Sequence, residues 1–106
     1  MSERIDIGHG HEIEYSGWAP DRELNPQYAD VPDVEKYGLI DYHNRADNGK
    51  TCSGYVTFDG VVARRIEPGR SMWTVESWEP LTLSPSLLCR ACGDHGFIRE
   101  GKWVAA

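Results

Sequence analysis

The run Cys89-Arg90-Ala91-Cys92-Gly93-Asp94-His95 constrains this chain more than any other part of it. Two thiols and an imidazole follow one another at two-residue spacings. A two-residue gap lets both sulfurs face one tetrahedral ion at about 2.3 Å, and a glycine after the second thiol frees the backbone to turn the next ligand inward. The pattern therefore predicts a zinc staple with Cys89, Cys92 and His95 as three ligands.

The fourth ligand has to come from a distant part of the chain. Cys52, in Lys50-Thr51-Cys52-Ser53-Gly54, is the only other thiol and is followed by small residues, so it is the first choice. His43 is held in reserve, as are His9 and His11 further upstream in a His-Gly-His run, for which a flexible polar tail is the preferred reading. Two other readings of the thiols stay open. A Cys-x-x-Cys redox pair expects a βαβ setting and a helix after the first cysteine, and neither is visible here. Passive burial is the other, since a free cysteine packs as a small hydrophobe. Three cysteines suit a disulfide framework poorly, because one must stay unpaired.

At 106 residues, the length predicts one domain, residues 1–106. No apolar run approaches the roughly 18 residues that span a bilayer, so no membrane partner is expected. The charged opening MSERIDIGHG lacks the apolar stretch of a secretory signal, which favours a cytoplasmic protein. The formal charge of −6 lies wholly in the first half: residues 1–53 carry eleven acidic and five basic side chains, and residues 54–106 six of each. That balance argues against general nucleic-acid binding, although Arg64, Arg65, Arg70 and Arg90 lie in the neutral half.

Secondary structure reads as mainly β. The proline-bearing stretch 18–32, WAPDRELNPQYADVP, predicts an extended or turn-rich segment. Asp33 is placed to cap one helical turn through Lys36. Short strands are predicted at 12–15, 39–42, 54–58, 61–66, 72–75 and 81–83. Asp59-Gly60 reads as a tight hairpin turn between two of them. A second hairpin is predicted where Phe97-Ile98 and Trp103-Val104 flank Arg99-Glu100-Gly101-Lys102. Trp18, Trp73, Trp78 and Trp103 are expected in the core. The predicted architecture is a small antiparallel β domain, with an irregular arm over residues 1–36 and a β-rich, zinc-binding core over 37–106.

Just before the cluster lies Leu81-Thr82-Leu83-Ser84-Pro85-Ser86-Leu87-Leu88. Ser86 follows a proline at a bend, and His95 or His43 could act as its base if brought within hydrogen-bond reach. A serine beside proline more commonly bonds nearby backbone. A histidine committed to a metal could not also serve as the base.

The segment Trp73 to Trp103 resembles a small family found in actinobacteriophages and bacteria. The features that carry the resemblance are the tryptophan strand, Leu83-x-Pro85-Ser86, Cys92 separated by two residues from His95, and the aromatic-Ile hairpin. A weaker echo places His43 and Cys52 at an upstream His and Cys-Gly motif. In relatives attached to bacterial ubiquitin-like conjugation operons, the resemblance implies a serine peptidase acting on the ubiquitin-like protein, with Ser86 as nucleophile and His95 as its histidine. This chain departs from that pattern by keeping one cysteine of a Cys-Pro-Cys-Gly-Cys-Gly-like run, and by carrying Leu87-Leu88 where a Gly-Asn follows the serine. Losing that glycine works against an oxyanion hole. The expectation is a phage-encoded, zinc-stapled module that binds a viral or host protein, with serine hydrolysis as the alternative.

Overall fold

The computed structural model describes residues 3–45 and 47–106. It is mainly β and antiparallel. Strands β1 (Arg4–Gly8), β2 (His11–Trp18), β3 (Val34–Asn44) and β4 (Thr51–Thr57) form a sheet in the order β1-β2-β3-β4. A short helix α1 (Val61–Ile66) follows, then the ribbon β5 (Thr74–Trp78) with β6 (Leu81–Ser84). Strands β7 (Leu87–Leu88), β8 (His95–Arg99) and β9 (Lys102–Ala105) make a third sheet in chain order. No helix is long and apolar enough to cross a membrane among the described residues.

Strand periodicity explains how the first sheet meets the rest. Side chains of alternate residues share a face. Tyr15, Leu39 and Val56 stand side by side across β2, β3 and β4. Leu39 and Val56 are buried with Ile7, Ile13, Phe58, Leu81, Leu83, Leu87, Ile98 and Trp103 in one core. The inner face of the large sheet thus packs on the two smaller ones.

The terminal hairpin forms as predicted. Its turn residues Glu100 and Gly101 both have positive φ, 51° and 74°, which a two-residue turn matched to strand twist requires. The turn is also anchored, since the Gly101 amide donates to the Leu81 carbonyl at 2.8 Å and the Glu100 amide to Thr82 Oγ1 at 3.0 Å.

The Asp59-Gly60 hairpin and the strand at 61–66 do not form; that segment is α1. Gly60 is extended, with φ −174°, rather than left-handed. The outer edge of β4 is instead taken by Trp73, whose amide donates to Thr57 and whose carbonyl accepts from Asp59, in a parallel bridge with Phe58. A parallel return needs a crossover, and α1 supplies it. Ala63 is its buried residue, and Arg64 and Arg65 complement its C-terminal end.

The helical turn expected at 33–36 is also replaced, because β3 begins at Val34 and pairs it with Trp18. Asp33 accepts from the Arg22 guanidinium at 2.6 Å instead of capping. The same guanidinium donates to the carbonyls of Tyr28 and Val31, which ties together the turn-rich segment between β2 and β3. That irregular segment is shorter than the expected arm, since β1 and β2 fall within residues 1–36 and supply Ile7 and Ile13 to the core. Of the tryptophans, Trp103 is buried, Trp18 and Trp73 are half-buried, and Trp78 is exposed.

Gly96 is the tightest point of the third sheet. A Cβ there would lie 2.6 Å from two ring carbons of Trp103 and from the Val104 carbonyl. Gly96→Ala is expected to destabilise the fold by about 1–3 kcal/mol through this overpacking, read as a lower urea midpoint at unchanged slope.

Candidate metal centre

The pairing of β2, β3 and β4 sets His11, His43 and Cys52 opposite one another in one row, with His11 across from His43 and His43 across from Cys52. Two residues along, Ile13, Asp41 and Gly54 form the next row on the same face. One end of the inner face is therefore polar, although it carries the same strand parity as the core.

The β7–β8 loop closes over this end. The Gly93 amide donates to the Cys89 carbonyl at 2.7 Å and the Cys89 amide to the Asp94 carbonyl at 2.8 Å, with Gly93 at φ +80°. This tight turn aims Cys89 and Cys92 toward the row. The Sγ atoms of Cys52 and Cys89 lie 3.4 Å apart, and His43 Nε2 lies 3.2 Å from Cys92 Sγ. All four donor atoms fall within 4.8 Å of one another. A tetrahedral centre with metal–sulfur bonds of about 2.3 Å spaces its sulfurs about 3.8 Å apart, so the group is close to the size an ion needs. His43 is buried and the three thiols are half-buried and free of disulfides.

The thiols divide unequally over their protons. Partial burial opposes ionisation of Cys89, but the amides of Cys92 and Ala91 and the neighbouring thiols outweigh it and lower its pKa to about 7. The Cys52 thiol, hydrogen-bonded to Cys89, partly desolvated and facing the charge of Cys89, is pushed up to about 11. A cation among the sulfurs would take over the role of the shared protons.

Behind the donors stands a carboxylate with two histidines. Asp41, itself buried, accepts from His43 Nδ1 at 3.2 Å through one oxygen and from His11 Nδ1 at 2.8 Å through the other. Holding the proton on Nδ1 leaves the His43 Nε2 lone pair directed at the sulfur group. The second nitrogen of His11 faces Asp94 Oδ2 at 2.9 Å. Burial works against charge on His11, yet its bonds to Asp41 and the charges of Asp41 and Asp94 raise its pKa above the ordinary histidine value. Each ring nitrogen thus faces a carboxylate oxygen. The ring is clamped between Trp103, with centroids 3.7 Å apart, and His43, at 4.8 Å.

Of the predicted ligands, Cys52, Cys89 and Cys92 come together and His95 does not. Strand β8 begins at His95 and buries Gly96 and Ile98, so alternation turns His95 to the other side, where its Nε2 lies 2.8 Å from Ser86 Oγ. His43, the reserve, takes the fourth position. His11 is a buried part of the centre rather than of a tail, while His9 is exposed in the β1–β2 turn. Asp41 and Asp94 are not among the residues the sequence points to, and His11 enters there only as an upstream reserve. One signal was available, because His11, Asp41 and His43 occupy the strand positions whose neighbours Ile13 and Leu39 are apolar. The chain matches no protein-family model, no curated protein and no solved structure.

Asp41→Asn keeps the size of the side chain but removes the charge facing both rings. It is expected to weaken metal affinity about 10–100-fold, as loss of such a supporting carboxylate does, measured by competition with a chromophoric chelator.

Proposed function

We propose that this chain is a zinc-stapled interaction module that binds a protein partner, viral or host. The observation that carries the metal reading is the convergence of His43 Nε2 with the sulfurs of Cys52, Cys89 and Cys92. Three thiolates and one imidazole in a small tetrahedral space suit zinc and exclude magnesium and calcium, which prefer oxygen ligands. Four protein donors make a closed site, and a closed site is structural. Its position supports the same role. The donors come from β3, β4 and the β7–β8 loop, so the ion ties the large sheet to the small C-terminal one.

Purified, untagged protein is expected to carry one zinc per chain by elemental mass spectrometry. Cobalt substitution should give the intense visible bands of a tetrahedral thiolate site. Cys52→Ala, Cys92→Ala and His43→Ala should lose the ion, and His95→Ala and Ser86→Ala should keep it. Zinc-free wild-type protein, or loss of zinc with His95 but not with His43, defeats this assignment.

A second reading, serine hydrolysis at Ser86, is favoured by one contact, the 2.8 Å approach of His95 Nε2 to Ser86 Oγ. With His43 as the ligand, His95 remains free to accept the hydroxyl proton as Oγ attacks an acyl carbon. Among the described residues no carboxylate bonds Nδ1 of His95 to orient it, and Leu87-Leu88 form β7 directly after the serine. Under this reading a fluorophosphonate probe labels the wild-type chain, and labelling is abolished by Ser86→Ala and strongly reduced by His95→Gln. Absence of labelling in zinc-loaded protein removes it.

A further inference from the structure

We propose that the groove between β4 and β7 binds an extended peptide bearing acidic side chains. The proposal deepens the interaction-module reading and rests on it, because the metal loop forms one wall. The groove has a volume of about 660 Å³, within the range of ligand clefts. Tyr55, Arg70, Trp73, Ser86, Leu88 and Arg90 line it.

Charge selects the occupant. In a chain of net charge −6 this groove is lined by two arginines and by no acidic residue. Arg70 is held in place, since its Nε donates to Thr57 Oγ1 at 3.0 Å and its Nη1 to Glu67 at 3.2 Å, while its guanidinium lies 5.9 Å from the Tyr55 ring centroid. Its Nη2 has no hydrogen-bond partner among the described residues and remains available to a carboxylate. Glu67 does not compete for it, because its other oxygen accepts from the Tyr37 hydroxyl. Arg90, exposed between the two loop cysteines, makes no ion pair among the described residues. Arg64 and Arg65 are paired with Asp59 and Asp30 on the helix side, and Arg70 with Glu67, so Arg90 is the groove cation left without an ion pair among the described residues.

Backbone and apolar features select an extended chain. β4 and β7 are edge strands of their sheets, so their outer amides and carbonyls are open to a further strand, apart from the Trp73 bridge at the end of β4. Leu88 is 56% exposed on the groove wall. The Trp73 ring is fixed there by its indole N–H, which donates to the Ser86 carbonyl at 3.1 Å. Carboxylates on alternate residues with apolar side chains between them match this lining. Two arginines fall short of the row of cations that a nucleic-acid backbone requires.

The test is fluorescence anisotropy with three fluorescein-labelled peptides of one length, alternating Val with Glu, Gln or Lys, on protein whose zinc content is measured in each sample. The Glu peptide is expected to bind, to weaken as salt rises, and to lose about tenfold in affinity with Arg90→Glu or Leu88→Asp. The Lys peptide should not bind. Equal binding of the Gln and Glu peptides overturns the proposal, as does binding unchanged in both variants, or a thymidine oligonucleotide that binds more tightly than the Glu peptide and responds to the same substitutions. Zinc-loaded protein that ignores the Glu peptide rejects the groove and leaves the metal centre standing. Zinc-free protein that binds it with the stated preferences supports the groove and rejects the metal.

Discussion

The buried carboxylate of Asp41 is the interaction on which the rest of this structure depends. A buried charge is costly unless it is paired and hydrogen-bonded. Asp41 meets that condition by accepting from His11 with one oxygen and from His43 with the other. His11 also bonds Asp94 at 2.9 Å, so a ring held between two carboxylates links the inner face of the large sheet to the loop that carries two of the thiols. The pairing fixes the tautomer of His43, the register of β2 against β3 and the placement of the loop together.

This network has a mechanical consequence. A chain of this length divided into three small sheets has a limited core, and its apolar cluster draws on nearly every strand. Trp103 shows how closely the apolar and polar parts are joined, since one ring packs against Gly96 within its own sheet and stacks on His11 across the interface. A metal in the proposed centre, at the polar end of that interface, would offset the shortage of buried area by closing a long loop through strong bonds. The same closure would brace the loop that brings Arg90 to the groove.

What could be read from the sequence divides along local and non-local lines. The terminal hairpin was legible because Glu100-Gly101 between two β-prone runs carries its own turn geometry. Asp59-Gly60 looked equally good and failed, because Trp73 occupies the edge of β4 against which the following segment would have folded back. Val61–Ile66 then became helical despite its β-branched residues, since the connection had to cross over and Ala63 could be buried from a helix. His11 and Asp41 were missed for a related reason. Their polarity suggested solvent, whereas their strand parity pointed to the core.

By itself, the sequence determined the chemistry of the centre: three thiols, two of them in a tight glycine-bearing turn, with histidines upstream and downstream to complete the set. Spacing of two residues is a short-range property, and the turn from Cys89 to Gly93 follows from it directly. Only the tertiary structure decided which histidine completes the group. His43 reaches Cys92 because β3 lies beside β4 in a register that sets it against Cys52. His95, nearest in sequence, is turned away because a strand beginning at that residue must alternate, and the core took Gly96 and Ile98.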